Sequence, residues 1–201
     1  MRWFLRVWSF VSSPLLIPLL VSVWFLSYTS GGLGDSTILP KLYIIATLTV
    51  GIPLVFYFLL YYFKLANSIE LSTTRERLVP LVIYGILIIA ILKLVFYDGQ
   101  FLPLYYFFIG ILMSTIISLI MALFQFKISL HMMAISGTAA FVMILSFYLQ
   151  VELIYQLIVL SVAIGLTATS RLSMKAHSPI ELIFGTVLGI AVQVMAATFY
   201  V

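Results

Sequence analysis

Seven apolar stretches, each about as long as a bilayer is thick, constrain this 201-residue chain more than any other feature. A helix that crosses the hydrocarbon core needs about 20 apolar residues. Such runs fall at roughly 8–28, 42–63, 78–97, 102–125, 132–150, 152–169 and 180–200. The expectation is an all-α, polytopic transmembrane helical bundle of six to seven spans, forming a single membrane domain over residues 1–201. A water-soluble domain is excluded, because 64% of the residues are hydrophobic and only 8% charged, too little polar surface to cover so much apolar surface. The mean hydropathy of +1.26 excludes disorder for the same reason. The absence of cysteine removes disulfide frameworks and thiolate metal sites.

The breaks between spans are marked by residue type. Gly31-Gly32-Leu33-Gly34-Asp35-Ser36 with Pro40 reads as a loop. Asn67 to Arg77 is the longest polar stretch, and Tyr97-Asp98-Gly99-Gln100 is a tight turn. Gln150-Val151-Glu152 barely separates the fifth and sixth spans, which also read as one long kinked segment. Arg2 and Arg6 before the first run suit a signal peptide. That run is too long, however, carries Pro14 and Pro18 and has no small-x-small cleavage site, so a retained first helix is expected.

The formal charge of +4 is small, and in a membrane chain it reports on loop placement rather than on nucleic acid. Seven spans place Arg2, Arg6, Lys64, Glu70, Arg75, Glu76, Arg77, Lys127, Arg171, Lys175 and Glu181 on one side, with both histidines, His131 and His177. The other side holds Asp35, Lys41, Asp98 and Glu152. Lys93 lies inside the third span near its end, where closeness to Asp98 suits snorkelling. This asymmetry has two explanations: a cytoplasmic face set by the positive-inside rule, or a polar site assembled from three separate loops.

Those loops read Ser72-Thr73-Thr74-Arg75-Glu76-Arg77-Leu78-Val79-Pro80, then Lys127-Ile128-Ser129-Leu130-His131, then Ser170-Arg171-Leu172-Ser173-Met174-Lys175-Ala176-His177-Ser178-Pro179-Ile180-Glu181. Their residue types suit a phosphate ester. Arginine offers a planar fork that meets two phosphate oxygens at once, and such donors stabilise charge that develops on a transferring phosphoryl group. A histidine attacks phosphorus when its far nitrogen is held by a carboxylate, and His177 and Glu181, four apart, share a helix face. A second histidine can donate a proton to the leaving oxygen.

The third loop, Ser-Arg, five residues, His, three residues, acid, resembles the third signature of the type 2 phosphatidic acid phosphatase superfamily, the membrane relatives of vanadium haloperoxidases. The second resembles that family's Pro-Ser-Gly-His through Ser129 and His131. The first resembles its Lys-six-Arg-Pro signature through an arginine cluster before Pro80. The resemblance covers about residues 70–201, and the first two spans give it no support. It implies His177 as nucleophile, Glu181 as its orienting acid, His131 as general acid, and Arg75, Arg77, Ser129 and Arg171 as phosphate ligands, with no metal or cofactor. The chain departs from the pattern at Glu181, where the family has Asp, at Leu130, where it has Gly, and at the first signature's lysine, which has no match.

Other roles stand open for several of these residues. Ser178-Pro179-Ile180-Glu181 is a capping box, so Glu181 could simply close a helix N-terminus. Arg171 and Lys175 suit interfacial anchors, His131 suits an interfacial residue, and Glu76 suits neutralising Arg75 and Arg77. Gly185 and Gly189 form a small-xxx-small step for helix packing. The functional expectation is an integral-membrane lipid phosphatase that hydrolyses a lipid-linked phosphate monoester or diphosphate through a phosphohistidine. The resemblance sets it in a bacterial inner membrane, with lipid phosphate and membrane lipids, not nucleic acid, as partners. The alternative is a catalytically inactive relative that binds an anionic lipid headgroup or a partner. A transporter or channel would need polar groups near mid-bilayer, whereas here the charges gather at span ends.

Overall fold

The computed structural model describes residues 2–29, 36–63 and 73–201, an all-α chain with no strand among them. Residues 31–35 of the glycine-rich loop, and Lys64 and Glu70 with the polar stretch up to residue 72, lie outside the described residues.

The first apolar stretch is not one continuous helix over 8–28. It divides into α1 (Arg2–Val11) and α2 (Leu16–Thr29), bent by 62° at the intervening residues. Pro14 has no N–H to donate, and its ring disfavours helical geometry at Ser13. The chain closes α1 with Ser12 N donating to Trp8 O, then restarts with Leu16 N and Ile17 N donating to Ser13 O. The second stretch is one span, Ile38–Tyr62, built from α3 (Ile38–Ala46), a π-helical turn (Thr47–Gly51) and α4 (Ile52–Tyr62). The wide turn falls just before Pro53, which cannot donate to the carbonyl four residues back.

Five long helices follow: α5 (Thr74–Leu94), α6 (Leu102–Leu123), α7 (Leu130–Leu149), α8 (Ile154–Ser173) and α9 (Pro179–Ala197). With Ile38–Tyr62 they make six helices long and apolar enough to cross a membrane, and the bent α1–α2 pair makes a seventh if taken as one span. α7 and α8 are separate helices, not one kinked segment, because Gln150 takes a left-handed conformation (φ 55°) that ends α7.

The starts of α5, α7 and α9 are capped alike. Thr73, Ser129 and Ser178 each accept a side-chain hydrogen bond from the backbone N–H three residues on. All three starts lie at one end of the bundle, tied together there by Arg77 Nη1 donating to Ile128 O and by Ser129 N donating to Glu181 O.

α7 and α9 pack most intimately. A Cβ on Gly185 would lie 2.6 Å from Ser129 O, and one on Gly189 would overlap the Met133 carbonyl oxygen. The two glycines bring the backbones into contact, as small residues do between membrane helices. Behind them Phe25, Phe107 and Phe141 join rings across α2, α6 and α7. Outward positions such as Ile158, Val159, Val162, Ile183 and Val187 are exposed apolar side chains, suited to contact with lipid.

Candidate functional site

Where the starts of α7 and α9 meet the end of α8, a cavity of about 1000 Å³ enters the bundle. Arg6, Ser9, Arg77, His131, Arg171 and His177 all line it, so both imidazoles belong to one space at one end of the molecule. Each is held by local structure. Arg77 lies one turn into α5 and is buried by the loop before α7, to whose Ile128 carbonyl it donates at 3.1 Å. Arg171 closes α8, is 5% exposed, and donates from Nη1 to the Ser9 hydroxyl at 2.5 Å. His131 opens α7, and its Nε2 lies 3.1 Å from Ser9 O, a contact in which the ring donates. His177 occupies the turn before α9, 8% exposed, with Nδ1 2.5 Å from Glu181 Oε2.

That last contact fixes the chemistry of the ring. Burial, reinforced by the positive charges of Arg77, Lys127 and Arg171, pulls the His177 pKa down to about 3, so the ring is neutral near pH 7. Donation of the Nδ1 proton to Glu181 then leaves the lone pair on Nε2, the tautomer a nucleophile requires. Of the two roles open to Glu181 in the sequence, its carboxylate takes the one towards His177, while the Ser178 hydroxyl caps α9 by accepting from the Glu181 backbone N–H.

The surroundings favour an anion. Two guanidinium groups border the cavity with their long sides buried, and the starts of α7 and α9 direct the positive ends of their backbone dipoles towards this end of the bundle. Lys127 braces the turn before α9 by donating to Ala176 O at 2.9 Å.

Two expected phosphate ligands sit elsewhere. Arg75 is exposed at the start of α5 and does not line the cavity. Ser129 is fully buried, its hydroxyl accepting from Met132 N as the cap of α7, and it does not line the cavity either. Leu130, at the family's glycine position, does line it.

The first span contributes more than its sequence announces. Ser9 touches both Arg171 and His131, Ser170 donates to Leu5 O at 2.8 Å, and Trp8 Nε1 donates to Thr167 at 3.0 Å. Leu5 and Ser9 on α1 and Ser12 just past its end are buried. Nothing in the apolar run around them singles these serines out in the sequence.

Inward from the histidines the cavity becomes apolar, bordered by Pro18, Pro53, Leu81 and Phe107, and reaches Gln193. Gln193 lies fourteen residues beyond Pro179 in α9, about 21 Å along the helix axis. A charged mouth thus opens into a long apolar interior. No family model, no curated protein and no solved structure matches this chain.

Proposed function

We propose that this chain is an integral-membrane phosphatase acting on a lipid-linked phosphate monoester or diphosphate, set in a bacterial cytoplasmic membrane. One observation carries the proposal: His177, oriented by Glu181, shares a cavity with His131, Arg77 and Arg171, and that cavity continues into an apolar interior. The arginines clamp the phosphate oxygens. His177 Nε2 attacks phosphorus, the bond to the leaving oxygen breaks, and its electron pair stays with that oxygen. His131, carrying a second proton that the negative charge of the bound phosphate stabilises, gives that proton to the leaving oxygen while its Nε2–H stays on Ser9 O. Water then attacks the phosphohistidine, giving a proton to His131, and the P–N bond breaks with its electron pair returning to His177 Nε2, which releases inorganic phosphate. The lipid chain rests in the apolar part of the cavity, as the size and mixed lining of the space permit.

Purified protein in detergent should release phosphate from at least one of phosphatidate, phosphatidylglycerophosphate, a polyprenyl diphosphate or a lipid A phosphate. His177→Ala should abolish that release. Equal release by the variant would refute the proposal.

A second reading, a non-catalytic headgroup-binding protein, is favoured by one contact: the His131 Nε2 proton is already engaged with a backbone carbonyl. Mass spectrometry after acid-free quenching separates the two. A phosphoryl group on His177 supports the enzyme, and bound but uncleaved lipid phosphate supports the binder.

A further inference from the structure

We infer that the inner end of the cavity is a second recognition site, one that selects an amphiphile bearing a hydroxyl part-way along its apolar chain, with Gln193 as the receiving residue. The inference rests on the reading of the cavity mouth as a phosphate site, and it names the substrate class more closely. Gln193 is 5% exposed, and its Nε2 donates to Phe107 O at 3.1 Å, while its Oε1 has no hydrogen-bond partner among the described residues. The side chain borders the cavity. Its place is built for it: a Cβ on Gly110 would lie 2.5 Å from Nε2 and 2.9 Å from Oε1, and one on Gly137 would lie 3.4 Å from Cγ. On α6 the chain therefore gives up a side chain at Gly110 to admit this amide.

Its neighbours in the lining are acceptors as well. The Ser114 and Thr115 hydroxyls donate to Gly110 O and Ile111 O, both at 2.8 Å, so their protons are committed and their oxygens remain. A plain hydrocarbon chain would leave the Gln193 carbonyl desolvated and unpaired, which is unfavourable in a membrane interior. A hydroxyl satisfies the whole amide, because it donates to Oε1 and accepts the second Nε2 proton. An ester or keto oxygen only accepts and leaves Oε1 unmet.

The test uses alkyl phosphonates of one chain length, which cannot be hydrolysed, with a hydroxyl walked along the chain. Their affinity for the full-length protein in detergent is measured calorimetrically. One hydroxyl position should bind about tenfold more tightly than the plain chain, and Gln193→Met should erase that preference. A flat profile in the wild-type protein, with water rather than ligand meeting the amide, overturns the inference whether or not the variant folds. So does a preference that survives in Gln193→Met. Phosphate release from plain alkyl phosphates alongside a flat profile removes the inner site and leaves the phosphatase. A hydroxyl preference without phosphate release does the reverse.

Discussion

Arg171 donates from Nη1 to the hydroxyl of Ser9 at 2.5 Å, across 162 positions of sequence. The contact anchors a buried guanidinium whose neighbours in the cavity are His131 and His177. A buried charge needs such a partner, and a hydrogen bond to a charged group is worth about 1.5–3 kcal/mol. Ser9→Ala should therefore weaken binding of an alkyl phosphonate about tenfold or more and lower the unfolding temperature by a few degrees. Arg171→Lys should not restore affinity in that background, because an ammonium lacks the guanidinium fork. Unchanged affinity in Ser9→Ala would show that Arg171 takes no part in holding the anion.

The contact of α9 with α7 predicts an asymmetry between two glycines. A methyl group at Gly185 would meet the backbone oxygen of Ser129 at 2.6 Å, and backbone cannot move aside as a flexible side chain can. Gly185→Ala should cost about 1–3 kcal/mol, the usual penalty for overpacking, and lower the unfolding temperature in detergent. Gly165 on α8 has no atom within 4 Å of the same added group, so Gly165→Ala should leave that temperature unchanged or slightly raised. Equal behaviour of the two variants would discount the close approach.

The spans were legible because a bilayer imposes one long, strong signal on sequence, a run of about 20 apolar residues, and six helices of that length and character are present. Glu181 was legible too, since spacing by four on a helix fixes its reach to His177. Ser9 and Gln193 were not. Most serines in these helices return their hydroxyl to the carbonyl four residues back, as Ser22 and Ser27 do, and nothing local distinguishes one that faces a distant arginine. The break at Pro14 was signalled by its proline, yet the apolar run on either side of it reads through as continuous. Ser129 and Arg75 carry the right residue types for phosphate, but the helix cap holds the first inward and the exposed edge of α5 holds the second outward.

At the opposite end of the bundle, Asp98 pairs with Lys41, not with the nearby Lys93. Lys41 Nζ lies 2.5 Å from Asp98 Oδ2, and also over the rings of Tyr97 and Phe101 at 5.7 and 5.3 Å. The hydrogen bond from Lys41 holds the Asp98 carboxyl below its usual range. The pair ties the start of α3 to the turn between α5 and α6. Lys41→Met should lower the unfolding temperature by a few degrees and leave phosphonate binding at the distant cavity as it was. Lys93→Met should do neither. A larger loss from Lys93→Met would show that the ion pair is misassigned.

The depressed pKa of His177 makes a prediction with a definite sign. A histidine whose folded value is about 3, against 6.5 for the free side chain, binds fewer protons folded than unfolded throughout that interval. Stability then rises with pH across the interval, is fully present above 6.5, and is lost progressively as pH falls from there towards 3. The neutral nucleophile persists well below pH 6.5, so activity per folded molecule should hold across that limb. Thermal unfolding measured from pH 8 to 4 should show a falling limb, and His177→Gln should make that limb shallower. A wild-type stability that instead falls as pH rises from 4 to 8, and no longer does so in His177→Gln, would mean that His177 carries its proton in the folded protein. A protonated ring in the resting state has no lone pair with which to attack phosphorus, and it would leave only the headgroup-binding role.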